Sequence, residues 1–318
     1  MNKELFLRRF NVEKHIIGTE AFEMNQDIMK GVDQEEILEK ARSGFYKDTA
    51  ENRKLGRVGQ SYGFSNKLDK ASYNTTDRYF RNNKWNIKRV KDVHYGILND
   101  TFRGIKPAKG TPTCVIVMGG TASGKGTVTK PILEEIMNSV GEKFAHLDVD
   151  DFKKKIPEYN KFKRLGAANN VHEESSHLGK RARKFAISNK LNFVNDGTFS
   201  NMDKSLDMIK SLKNKGYNIK LINVSTDIDE AKIREKARFK RSGRKVGEDI
   251  LEKSHIESVD VYNKIKDLVD EYSMYDNNVG KDEKAILVDS HKTGIVNEKL
   301  YKKFQDKRNY KPKAYKKK

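Results

Sequence analysis

Residues 113–129 read TCVIVMGGTASGKGTVT: five residues rich in β-branched side chains, a methionine, then a glycine-punctuated turn that runs into Lys125-Gly126-Thr127. The apolar run predicts a buried strand over 113–118. The segment after it has the phosphate-loop spacing, with Gly119, Gly124 and Lys125 in register. Glycines at Gly119, Gly120, Gly124 and Gly126 let the backbone turn tightly and aim successive N–H groups into one concavity. Thr121, Ala122 and Ser123 bridge the turn. The following helix would add its positive N-terminal end. Lys125 would place a mobile cation on the β- and γ-phosphates of a bound nucleotide.

Two details depart from the commonest form of this loop. Gly126 stands where a hydroxyl normally follows the lysine, and Thr127 supplies that hydroxyl one residue later. Thr127 is therefore a candidate Mg²⁺ contact at an offset position, with water expected to carry more of the coordination. The same G-K-G-T order occurs in adenylate-kinase-like enzymes. Pro131 falls inside the expected helix and predicts a kink or a delayed start.

The flanking pattern alternates. Strands are expected at 113–118, 144–149, 191–196, 218–224 and 284–289. Helices are expected at 126–140, 174–189, 203–215, 227–241 and 248–272. Strand and helix in alternation predict an α/β fold with a parallel sheet of about five strands covered by helices on both faces. Before it, residues 1–110 read as a basic extension that mixes helical and irregular stretches. Apolar residues recur at helical spacing in 33–47 and again at Ile87, Val90, Val93, Ile97 and Leu98. The domain itself is expected over 111–300. Residues 301–318 read as a basic, solvated tail.

Ligands of parallel sheets bind beyond the carboxyl ends of the strands, so the residues there set the chemistry. The second strand ends in HLDVDDFKKKIPEY. Asp150 is placed to take a proton from a substrate hydroxyl, and Asp148 to hold metal or loop geometry. A helix cap is the competing role for Asp150 and Asp151. The third strand ends in Asp196-Gly197-Thr198, a carboxylate and a hydroxyl for substrate. Downstream, Arg234 and Arg238 share a helical face, with Arg241 and Arg244 at the helix end, as in a lid over a transferring phosphate.

Taken in order, GGTASGKGT, LDVDDFKKKIPEY, HEESSHLGKRARKFAISNKLNFVNDGTFSN and VSTDIDEAKIREKARFKRSGRKVGED resemble the zeta-toxin family of small-molecule kinases over roughly 112–292. The resemblance implies a P-loop kinase fold. It implies transfer from ATP or GTP to a sugar hydroxyl of UDP-N-acetylglucosamine, with an antitoxin protein as partner. By motif, Lys125 is the loop lysine, Asp150 the base, and Arg238 and Arg244 the arginines on the transferred phosphate. Asp196 takes the place of the acidic residue in the family's acid-Gly-Thr block. The family's sugar-contacting acid aligns near Lys180, in a stretch that is basic here. Residues 75–102 also resemble the helical lead-in of phage-encoded zeta-like proteins.

Composition bounds these readings. Lys and Arg number 65 against 45 Asp and Glu, a net charge of +20, and mean hydropathy is −0.84. Such charge attracts nucleotides and nucleic acid. It keeps two rivals in view: a kinase of nucleic-acid ends, and a phage structural protein bound to DNA or a phage particle through its basic tail. One cysteine, Cys114, excludes a disulfide framework and fits a reducing cytoplasm. No apolar run is long enough to span a bilayer.

Overall fold

A computed structural model of the chain describes residues 74–81, 84–161, 167–242, 246–280 and 283–311. The helix expected within 33–47 lies outside them. At the centre stands β3 (Thr113–Met118), buried along its whole length. Its alternate side chains serve two cores. Cys114, Ile116 and Met118 face the larger one, and Val115 and Val117 face the smaller.

β3 pairs in parallel with β5 (Phe193–Asp196) and β6 (Asn218–Ser225). β4 (Ala145–Asp148) flanks β5, and β7 (Glu271–Asp276) flanks β6, both also parallel. β8 (Ile286–Ser290) and β9 (Gly294–Ile295) add antiparallel strands at that edge. The seven strands run β4-β5-β3-β6-β7-β8-β9. A separate hairpin of β1 (Phe80–Arg81) and β2 (Lys84–Trp85) precedes them.

The α/β class holds, with two differences. Residues expected to extend a helix to 272 instead end α11 (Glu248–Ile265) and form β7. EYSMYD carries acids at both ends, which are depleted in strands, so its period is hard to read. The last long strand was expected to run parallel, but the link from Asp276 to Ile286 is too short for a parallel crossover.

Helices cover both faces. α4 (Lys125–Val140) closes the smaller core through Leu133 and, less buried, Ile136 and Val140. It starts directly at Lys125 and runs unbroken through Pro131, contrary to the delayed start expected. The ring sits in an early turn, where loss of its N–H removes one bond. On the other face pack α8 (His172–Ser188), α9 (Met202–Asn214) and α11, through Leu178, Leu212 and Tyr262 among others.

Two segments expected to stand apart belong to the same body. α1 (Thr75–Tyr79) and the hairpin lead to α2 (Ile87–Arg89), a π-helical turn (Val90–His94) and α3 (Tyr95–Phe102). Ile97 and Leu98 join the larger core, and the Phe102 ring lies 4.7 Å from that of Phe185. Ile87, read as part of the apolar face, is exposed. At the other end, α12 (Glu298–Gln305) and a 3₁₀ turn (Asp306–Asn309) replace the expected solvated tail over its first residues, 301–309. Phe304 is buried, and Arg308 pairs with Asp260 at 2.7 Å. The helical period of Leu300, Tyr301 and Phe304 was hidden among lysines whose stems flank an apolar stripe.

Candidate active site at the carboxyl edge of the sheet

The loop after β3 has the conformation its glycines allow. Gly119 has φ 145°, Ala122 63° and Gly124 84°. A Cβ on Gly119 would meet the Val224 carbonyl oxygen at 2.2 Å, and one on Gly120 the His255 ring at 2.4 Å. Lys125 folds back and donates to the Gly119 carbonyl at 2.9 Å. Burial lowers its ammonium pKa, against the pull of Asp196, Asp150 and Asp148.

Three side chains that the sequence did not single out brace the loop. Ser254 Oγ accepts from the Thr121 N–H at 3.0 Å, and His255 Nε2–H donates to the Thr121 carbonyl at 2.8 Å. From the β7 end, Asn277 Nδ2 donates to the Ser123 carbonyl at 2.8 Å. Nothing in a short polar run such as KSHIES marks it as a loop brace; only tertiary contact does.

Burial, and then the Lys307 charge, push His255 down to about 3. An unfolded chain would take up a proton near the ordinary 6.5 that the folded chain refuses. Stability contributed by this group is therefore lost as pH falls from about 6.5 toward 3. His255→Gln, which keeps a donor, is expected to flatten that part of the stability-versus-pH curve measured by urea unfolding. Parallel curves for the two proteins would refute it.

Asp148 and Asp196 are register partners on adjacent parallel strands. Burial raises both carboxyls, Asp196 to about 6, and for Asp148 the neighbouring Asp150 charge adds to the effect. Asp148 also caps α5 (Val149–Lys155), its Oδ1 accepting from the Asp150 N–H at 2.8 Å. The cap was expected from Asp150 or Asp151; Asp148 has the extended backbone that a cap requires. Asp151 instead pairs on the surface with Lys154 at 2.5 Å. Asp150 pairs with Lys153, a nearly buried lysine that also lines the cleft, at 3.0 Å.

These groups face a cleft of about 1450 Å³. It is lined by loop residues from Thr121 to Thr127, by Asp148 and Asp150, and by Asp196 and Thr198. Gly119 and Gly120 are buried and are not among the residues that line it. α10 (Ile228–Ser242) contributes Arg234 and Arg238. Arg238 pairs with the buried Glu235, which also accepts from the Val246 N–H at 2.8 Å. Arg234 bonds Glu230 and the Asn277 carbonyl. Arg244 lies outside the described residues.

Lys180 does not line the cleft. The basic run around it is not one exposed face: Lys180 and Arg183 are half-buried and Lys184 is exposed. Arg181 is buried near His94, and Arg183 donates to Asn195 at 2.9 Å. That run offers no continuous track for a nucleic-acid backbone, which removes one of the features favouring the nucleic-acid-end reading. Among the described residues no cluster of three or more His, Cys, Asp or Glu forms a ready metal cage, and no helix is long and apolar enough to cross a membrane.

The fold has counterparts among solved structures. The toxin–antitoxin system PezAT of Streptococcus pneumoniae superposes with a TM-score of 0.53 at 17% identity, covering 70% of this chain and 93% of that one. The AvrRxo1-ORF1:AvrRxo1-ORF2 complex with sulphate ions gives 0.56 at 18% identity, covering 80% and 82%. The same complex with ATP gives 0.54 at 18%, covering 78% and 80%. No curated protein matches the chain by sequence. A family model, Zeta toxin, matches residues 99–291, a span that includes β3 to β8, the phosphate loop, the aspartates after β4 and the arginines of α10. The chain belongs to the zeta-toxin family of kinases.

Proposed function

We propose that the protein transfers the γ-phosphoryl group of ATP or GTP to a hydroxyl of a small acceptor, with a nucleotide sugar such as UDP-N-acetylglucosamine as the acceptor class. One observation carries this reading: a desolvated lysine and three carboxylates, Asp148, Asp150 and Asp196, converge on one cleft. The loop N–H groups and Lys125 hold the donor phosphates. Asp150 accepts the acceptor's proton. Arg238 and Arg244 neutralise charge on the transferring group, so catalysis is mostly positional and electrostatic. Asp196 and Thr198 orient the acceptor. ATP is favoured as donor by the relative solved with ATP.

Mg²⁺ fits the donor set. The ion usually takes one or two carboxylates plus phosphate oxygens and water. Asp148 keeps one carboxylate oxygen beyond its cap bond, and the Thr127 hydroxyl lines the same cleft. When bound, the ion supplies positive charge to the phosphates. A protein antitoxin is the expected macromolecular partner, since PezAT is a toxin–antitoxin system.

ATP with Mg²⁺ is expected to raise the melting temperature, by an amount equivalent to about 2.7 kcal/mol at a hundredfold excess over Kd. Lys125→Ala should remove most of that rise. An equal rise in both proteins would overturn the assignment of the loop. Labelled ATP with a panel of nucleotide sugars and oligonucleotides tests the acceptor; label appearing only on oligonucleotides would overturn the small-molecule reading.

A further inference from the structure

The hinge between β6 and α10 is Ser225-Thr226-Asp227, and the C-terminal segment grips it from outside the family-matched span. Lys307 Nζ donates to Ser225 Oγ at 2.6 Å. Lys303 pairs with Asp227 at 2.7 Å. Tyr310 OH donates to Asp229 at 2.9 Å and accepts from Lys232 at 3.0 Å, both on the first turns of α10.

The grip continues into the site. The Ser225 carbonyl accepts from the Asn277 N–H at 2.7 Å. The Asn277 carbonyl accepts from Arg234 of α10 at 2.8 Å, and its side chain holds the loop at Ser123. Strap, hinge, lid helix and phosphate loop are thus joined by consecutive hydrogen bonds.

We propose that residues 298–311 form a strap that fixes the angle at which α10 leaves the sheet, with Lys307 and Tyr310 as positioning residues for phosphoryl transfer. The proposal rests on reading α10 as the lid of the kinase site. Lys307 is nearly buried, and burial pushes its ammonium down to about 8 although Asp276 and Asp227 face it; Lys303 adds repulsion. Its ring of contacts includes Phe304 at 5.5 Å, and its charge also reaches His255. A buried cation is a poor way to add stability alone. It is a good way to hold one hydroxyl in one place, which is what a hinge requires.

The test uses the full chain carrying Lys307→Met or Tyr310→Phe. Hydrogen exchange without nucleotide should show the amides of 228–242 exchanging about tenfold faster, with those of β3 and β6 unchanged. Steady-state transfer should show kcat down about tenfold with the nucleotide KM within about threefold, because the loop still seats the phosphates. Wild-type exchange in α10 together with an unchanged kcat, whatever the melting temperature, would overturn the strap. If the wild-type chain transfers no phosphate to any acceptor, the kinase assignment of the cleft fails, while the exchange measurement still decides the strap. Tyr310→Phe, a conservative change, carries the test if Lys307→Met does not fold.

Discussion

Asp150→Asn is expected to cut phosphoryl transfer by roughly 10²–10⁴-fold, the usual worth of general base catalysis, while nucleotide affinity stays within about threefold of wild type. Asparagine keeps the size and reach of the side chain and removes the basic carboxylate. In the proposed reading the nucleotide seat is the loop and Lys125, braced by Ser254, His255 and Asn277, and none of these contacts involves Asp150. The neighbouring aspartates supply the comparison. Asp148→Asn keeps a capping oxygen, since asparagine caps a helix about as well as aspartate, so it should leave stability little changed while it weakens the contact proposed for Mg²⁺. Asp151→Asn removes only an exposed pair with Lys154 and should be nearly silent, since such pairs contribute 0–1 kcal/mol at most. Single-turnover transfer and nucleotide affinity, measured on all three, give the ranking. Near-normal transfer by Asp150→Asn, with Asp196→Asn inactive, would move the base to Asp196, whose carboxyl burial raises to about 6.

The phosphate loop and its strand were legible because local chemistry dictates them. Glycine relieves the positive φ at Gly119 and Gly124, where a Cβ would also clash, and a continuous apolar run marks a strand buried on both faces. The aspartates after β4 were legible for the same reason: they follow directly on a strand whose carboxyl end must meet the ligand. What brings Asn277 and His255 to the loop is long-range. They sit more than 130 residues away in sequence, in stretches with no motif, and β7 itself was hidden by its acidic ends. The cap was misplaced by a short step because DVDD offers several capping residues, and only the backbone angle at Asp148 chooses among them. Basic runs misled most. Lys303 and Lys307 read as solvated tail charge, and Arg181 as part of a basic stretch beside the substrate position, yet each meets a partner through tertiary contacts that composition does not encode.

Arg89→Met is expected to destabilise the protein by about 3–5 kcal/mol, the cost of leaving buried charge without its partner. Arg89 lies in α2, before the family-matched span, and reaches two carboxylates inside it. Its guanidinium donates to Glu158 at 2.7 and 3.1 Å and to Glu174 at 2.7 and 2.9 Å. All three side chains are buried. Burial would raise the Glu174 carboxyl, but hydrogen bonds from His94 and Arg89 hold it down at about 2. His94 is kept neutral chiefly by burial, so its Nε2–H donates to Glu174 at 2.8 Å while its Nδ1 faces Arg181 at 3.4 Å. Methionine retains much of the stem's bulk, so the loss would report charge more than a cavity. The consequence reaches the site because Glu158 follows α5 in α6 (Pro157–Lys161), and Glu174 lies on α8, whose Gly179 is packed tightly against Val149 of α5. The helix that carries Asp150 thus rests on a layer that Arg89 ties together. The sign with pH follows from the same groups. Glu174 contributes stability above its ordinary 4.5 that is lost toward 2, and His94 contributes stability that is lost as pH falls below its ordinary 6.5. Urea unfolding at pH 7 decides the magnitude, with Arg89→Met/Glu174→Gln as the control that removes one stranded charge. A loss below about 1 kcal/mol for Arg89→Met, or a double variant no more stable than the single one, would show that water reaches these carboxylates and that Arg89 does not tie this layer together.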